Sequence, residues 1–363
     1  MTYKRILIIN PFGIGDVLFT TPLIQNIKSS QPDVFIGYLA NRRTAVFLQD
    51  HPQIDRVFVY ERDEYVDIYR RSKIQFFKKM ISQLAEIRAA KFDCLIDLSL
   101  NGSASFLMAF AGIPQRLGFN YKNRSLFLTR KIPLRGFEGR HVAEYYLSLA
   151  RELGFKTESH EINFPIKETD RQWAEHFLQS LALPSGQPII AVVPGGGASW
   201  GKDAEYKRWP VERFAELADK LIEKSSAVII LLGDKQEEEL CKTMAQAMRA
   251  QPVMVCGQTT LGQLAALLKK CSLAVVNDGG PLHIAVAAGV KTVSIFGPVD
   301  EKVYGPYPAA GHTVVSHSIA CRPCYRQFRR ASCEHISCLK NITTEEVYRK
   351  IENILSADLK TVR

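Results

Sequence analysis

The chain has 363 residues, 46% hydrophobic and 23% charged, which excludes a largely disordered polymer and allows two domains, each with its own core. A formal charge of +10 favours anionic partners: nucleic acid, phosphorylated substrates or an anionic lipid surface. The longest apolar runs, such as residues 227–232, are strand-length and too short to span a bilayer, and the stretch before Pro11 lacks the length and cleavage site of a secretory leader, so a cytoplasmic location is expected.

In chain order, residues 4–10 form a β-branched apolar run that stops at a glycine-containing turn, residues 11–15. A helical pattern follows from Asp16 to about Lys28. Residues 34–39, 57–60 and 92–98 read as further strands with helical patterns between them. Residues 166–188 contain one helix and a Pro-Ser-Gly-Gln-Pro stretch, the best interdomain boundary. A second series begins at 188–193, ends in glycines 195–197, and continues with strands at 227–232, 253–255, 273–276 and 292–296 and a helix at 261–269. Such alternation predicts an α/β protein of two doubly wound, Rossmann-like domains with parallel sheets. The expected division is 1–170, 171–345, and a final helix whose residues 346–363 pack back on the first domain.

Two glycine motifs fail on inspection. Gly13-Ile-Gly15 follows a strand, but Leu18 stands where a dinucleotide fingerprint needs a third glycine or alanine. The stretch Gly196 to Lys202 falls short of a P-loop because Asp203 replaces the magnesium-holding Ser or Thr, and the next helix is expected only at Pro210.

Three other segments carry chemistry together. Asn10-Pro-Phe-Gly-Ile-Gly-Asp16 places a carboxylate at a helix start just past a strand's carboxyl end, where open α/β sheets bind ligands. On its own, Asp16 also reads as a helix cap. Val193-Pro-Gly-Gly-Gly197 is a strand-to-glycine turn whose amides, at Gly195 and Gly196, can approach a phosphate, and Lys207 supplies a cation before Trp209-Pro210. Asn277-Asp-Gly-Gly-Pro-Leu-His283 is a second strand-to-helix junction, with free amides at Gly279 and Gly280 and with His283 in the first helical turn. His283 also fits a buried structural role.

In this order the segments, with Ile295-Phe-Gly-Pro298, resemble glycosyltransferase family 9, the heptosyltransferases of lipopolysaccharide core synthesis, from Ile6 to about Ile342. The resemblance implies a GT-B-like fold with two domains facing a central cleft, an N-terminal acceptor domain and a C-terminal donor domain. It implies inverting transfer of a heptose from ADP-heptose to a lipid A–core acceptor, with Asp16 as general base. Lys207 would contact the diphosphate, Asp278 the sugar hydroxyls, and Glu237, after the strand at 227–232, the ribose. Another nucleotide sugar, or an epimerase on the same scaffold, would fit these motifs too. No cofactor or catalytic metal is implied, since no Asp-x-Asp pair stands at any strand end identified here.

Four cysteines, Cys321, Cys324, Cys333 and Cys338, cluster with His335, and in a reducing compartment this density points to a structural zinc or to free thiols. Basic and aromatic residues interleave between Tyr69 and Met80, as on a solvated helix face or a contact for acceptor phosphates or anionic inner-leaflet lipid. The partners expected are thus a nucleotide-sugar donor, a lipid-linked saccharide and a peripheral inner-membrane surface. Nucleic acid is not, because no helix-turn-helix, zinc-finger or RRM signature occurs and the basic residues form no tail.

Overall fold

A computed structural model describes residues 2–184 and 186–361. The chain forms two compact units, Met1–Pro165 and Ile166–Arg363. The first boundary thus falls five residues before the expected one.

The first unit is a six-stranded sheet of β1 (Arg5–Ile9), β2 (Phe35–Ala40), β3 (Arg56–Val59), β4 (Cys94–Asp97), β5 (Gln115–Tyr121) and β6 (Arg130–Leu134). All pairs are parallel and the order is β3-β2-β1-β4-β5-β6. Strands such as β1, RILII, are apolar along their length because helices cover both sheet faces. Leu7, Ile9, Leu39, Phe58, Phe92 and Leu95 form one buried cluster with Ile87 and Met108 from the covering helices. The helix expected from Asp16 to Lys28 is broken into Ile14–Leu18 and Thr21–Ser30. The cause is local: the Thr20 and Thr21 hydroxyls donate to the carbonyls of Val17 and Leu18, at 2.6 and 2.8 Å, closing the first helix.

The second unit repeats the design with β7 (Ile189–Val193), β8 (Val228–Leu231), β9 (Val253–Met254), β10 (Leu273–Asn277), β11 (Thr292–Phe296) and β12 (His312–Ser316). Its order is β12-β11-β10-β7-β8-β9, again all parallel. Helix Val211–Ser225 buries Phe214, Leu217, Ala218 and Leu221, the 3–4 spacing of a core-facing stripe. The final helix, Thr344–Thr361, buries Val347, Tyr348 and Ile351 in that same cluster, with Trp209, Leu221 and Leu339. It packs on Val211–Ser225, β11 and β12.

In each sheet the chain reverses its winding direction once, between β1 and β4 and between β7 and β10. The carboxyl ends of these strand pairs are where an open α/β sheet offers a crevice to a ligand.

One buried group makes the first unit acid-sensitive. His51 follows helix Arg42–Leu48, is buried, and accepts the Gln53 amide on Nδ1 at 3.3 Å. Burial lowers its pKa from 6.5 to about 4. The unfolded chain therefore takes up this proton first, so stability is complete above pH ~6.5 and is lost as pH falls toward about 4. Between pH ~7 and ~4.5 urea unfolding should show His51→Gln losing roughly 2–3 kcal/mol less stability than the unaltered chain. Equal losses would show that His51 is already charged when folded.

Candidate active site

At the first switch point, Asp16 lies in the opening turn of helix Ile14–Leu18, whose cap is Gly13 in an extended conformation. Asp16 is thus inside the helix and is not its N-cap. The turn is shaped by two amides. Buried Asn10 donates from Nδ2 to the Asp16 carbonyl at 3.0 Å and accepts the Phe12 amide on Oδ1 at 3.2 Å. Asn41, at the end of β2, donates to the Pro11 carbonyl at 3.0 Å and caps the next helix by accepting the Thr44 amide at 3.0 Å. Below the turn, Tyr38 shares a hydrogen bond of 2.9 Å with Thr20. Burial first, and the negative charge of Asp16 as well, push the Tyr38 phenol upward, so it stays neutral. On β4, Asp97 turns inward and accepts the Ser99 amide at 2.9 Å.

The second switch point gathers most of the expected donor-site residues. The register of β7 with β10, Val193 against Val276, sets the glycine turn beside Asn277, Asp278 and Gly279. Gly196 and Gly197 have φ of +105° and +75°, the left-handed region that glycine tolerates best. At Gly279 a Cβ would sit 3.0 Å from the Gly197 nitrogen, so a side chain there would press the two loops apart. Lys207 and Asp278, both buried, form an ion pair of 2.7 Å, and the Lys207 ammonium lies 4.6 Å from the Trp200 ring centroid. Gly280 begins helix Gly280–Ala287, whose first turn holds buried His283.

Glu237 has a more demanding job than a solvated helix start. Its Oε1 accepts the Gly196 amide at 2.5 Å and faces Arg208 at 3.5 Å, while Oε2 accepts the Asp234 amide at 3.1 Å in a capping box. Arg208 also donates from Nε to the Gly196 carbonyl at 3.0 Å. Gly195 is glycine for a reason beyond phosphate approach: a Cβ there would meet the Glu237 carboxylate at 2.2 Å. The Gly196 amide expected at the phosphate is therefore already used by Glu237. Arg208 and Asn277 had no assigned role. Their sequence signal was adjacency, one beside Lys207 and the other a polar residue closing a buried strand.

The four clustered cysteines come together in space. Cys321, Cys324, Cys333, Cys338 and His335 line one small cavity, but all eight cysteines are free thiols. Among the described residues no three His, Cys, Asp or Glu side chains are arranged to hold a metal. Cys338 faces the apolar core beside Leu339, and burial pushes its thiol up to about 11. Cys324 is raised by burial as well.

The profile of glycosyltransferase family 9 (heptosyltransferase) matches residues 80–335. Lipooligosaccharide heptosyltransferase 2 of Campylobacter jejuni is 27% identical over 97% of this chain and 98% of that protein. The crystal structure of a family 9 glycosyl transferase from Veillonella parvula matches with a TM-score of 0.79 and 25% identity over 98% of both chains. Escherichia coli ADP-heptose heptosyltransferase II, at 20% identity, shares the fold with a TM-score of 0.75 over 98% of this chain and 99% of that one. The fold is GT-B-like, as the motifs led one to expect. With a family match across more than half its length, two parallel α/β units and charged residues gathered at a switch point, this chain belongs to glycosyltransferase family 9 (heptosyltransferase).

Proposed function

We propose that the chain transfers a heptose from ADP-heptose to a lipid A–core saccharide, with inversion at the anomeric carbon, as a peripheral protein on the cytoplasmic face of the inner membrane. The observation that carries this reading is the buried Lys207–Asp278 pair between the glycine turn and helix Gly280–Ala287, in a chain of this family.

The second unit is the donor unit in this reading. Lys207 neutralises the diphosphate together with the free amides at the start of Gly280–Ala287, whose dipole favours an anion. Asp278, held by Lys207, accepts sugar hydroxyls, and His283 supports its loop from within the helix. Gly196 and Gly279 give the two loops their close approach, Gly195 makes room for Glu237, and Gly280 opens the helix whose amides face the anion. Glu237 keeps the turn in shape and offers a remaining lone pair to a ribose hydroxyl.

The first unit receives the acceptor. Asp16 takes the proton of the acceptor hydroxyl as that oxygen bonds to the anomeric carbon, and the bond from that carbon to the diphosphate breaks, releasing ADP. Asp16 stands in a first helical turn, where the helix dipole favours a negative charge. The chemistry on this route needs charge from Lys207 and from amides, and no cofactor.

Acceptor-dependent release of ADP from ADP-heptose tests the reading, and absence of turnover with a lipid A–core acceptor would overturn it. Asp16→Asn should leave ADP-heptose affinity within about twofold while lowering kcat by roughly 100-fold or more. Near-normal turnover would reduce Asp16 to a structural residue. Lys207→Met should weaken ADP and ADP-heptose alike by about 10- to 100-fold in calorimetric titration, the range of a lost charged hydrogen bond. Because that variant leaves buried Asp278 unpaired, the Lys207→Met, Asp278→Asn double variant should show the same loss of ADP affinity with more stability retained. Unchanged ADP affinity in both would remove Lys207 from the phosphate site.

A further inference from the structure

The two units differ sharply in what they leave exposed. Ten large hydrophobic side chains stand in solvent among the described residues, and every one lies in the first unit. That unit also carries 23 Lys and Arg against 16 Asp and Glu, +7 of the chain's +10. Apolar exposure and positive charge therefore coincide.

They meet most closely on helix Lys73–Ala89. Ile74, Phe77 and Ile81 are 69%, 50% and 61% exposed, and their spacing of three and four residues puts them in one stripe. Exposed Ala85 continues it. Lys78 and Arg88 fall within or beside this stripe and Lys73 on its flank, all exposed and without an acidic partner among the described residues. The acidic residues nearby are engaged: Glu86 with Arg56 at 2.6 Å, and Glu64 with Lys79 and with Arg42. Buried Ile87, roughly a third of a turn round the helix from Ile81, packs in the sheet core, and half-buried Leu84 marks the edge of the stripe next to Phe77, so the exposed line of Ile74, Phe77 and Ile81 is not the core face. The preceding helix, Arg62–Arg71, adds exposed Tyr69 and ends in Arg70 and Arg71.

We propose that this helix docks the protein on an anionic lipid bilayer, with Ile74, Phe77 and Ile81 entering the headgroup boundary and Lys73, Lys78 and Arg88 meeting lipid phosphates. The pattern is that of an interfacial helix, apolar along one line and cationic along its edges. A second copy of the chain is a poorer occupant, because symmetric self-pairing would set these cations against their own images. The inference deepens the reading of a lipid-linked acceptor, on which it rests, by naming the surface that brings the enzyme to that lipid.

Co-sedimentation of the full chain with vesicles tests it, using phosphatidylcholine alone and phosphatidylcholine with phosphatidylglycerol in equal parts. The unaltered chain should partition into the anionic vesicles at least tenfold more strongly, and less so as salt rises. The triple variant I74Q/F77Q/I81Q, in which only exposed side chains change, should keep its thermal midpoint and lose at least tenfold in partition. Lys73→Glu with Lys78→Glu should erase the preference for the anionic vesicles. Equal binding to both vesicle types, no binding, or unaltered partition by the triple variant would overturn the proposal. So would a dimer in sedimentation that the triple variant dissociates, because the face would then be a contact between copies. ADP release with a deacylated saccharide acceptor separates this from the reading beneath it. The triple variant should match the unaltered chain there, and if neither releases ADP, the transfer reading falls while the vesicle result stands on its own.

Discussion

The donor-site geometry depends on one buried side chain, the carboxamide of Asn277. Both Nδ2 protons are used, one on the Pro194 carbonyl at 2.8 Å and one on the Gly195 carbonyl at 2.9 Å, while Oδ1 accepts the Trp209 amide at 3.0 Å. One residue at the end of β10 thereby fixes the glycine turn after β7 and the segment that carries Lys207 and Arg208. Trp209 is itself anchored, fully buried against Phe214 with its indole donating to the Ile342 carbonyl at 3.0 Å. Lys207 stands two residues before that anchor and Asp278 directly after Asn277, so the ion pair inherits its geometry from the amide. A buried amide with every donor used is rigid, and leaving its partners unsatisfied costs about 1–3 kcal/mol for each group.

Much of this was legible in the sequence, and the limits have physical causes. Strands β1, β2, β7, β10 and β11 are continuous apolar runs, and that is how a strand buried on both faces reads. β5, QRLGFNY, carries Arg116, Gly118 and Asn120 among its apolar residues, and β6, RKIPL, is an edge strand that tolerates two cations and Pro133. Neither shows a clear apolar run. β12, HTVVS, is short and half-buried at the other sheet's edge. The helix break at Thr20 was hidden because it rests on two hydroxyls turning back to carbonyls, and apolar periodicity continues across it.

The site shows the same division. Asp16, Lys207 and Asp278 stand beside glycine turns at strand ends, a local pattern that points at them. The use of Glu237 could not be read, because its partner Gly196 lies 41 residues away in the chain. Gly195 reads as a phosphate-approach glycine, and the structure adds that it makes room for Glu237. The cysteine spacing left a metal and free thiols both open, because spacing carries no information on burial, and Cys338 proves to be buried in the apolar core beside Leu339. The interleaved basic and aromatic residues between Tyr69 and Met80 pointed at the later stripe, but which of those apolar side chains stand exposed depends on packing that the sequence does not show.

The most direct test of this account is calorimetric titration of ADP into the unaltered chain and into Asn277→Asp. That substitution keeps the size of the side chain but puts one carboxylate oxygen where Nδ2 makes both donations, facing the Pro194 and Gly195 carbonyls, and leaves the acceptor for Trp209 in place. ADP affinity should fall by about 30-fold or more, with each lost donor worth roughly 1 kcal/mol or above and the loops pushed apart by repulsion. Thermal unfolding should still show one folded second unit, because Trp209 and the apolar cluster around it are unchanged. ADP affinity within about twofold of the unaltered chain would contradict the account, since the donor loops would then hold their geometry without the Asn277 crosslink.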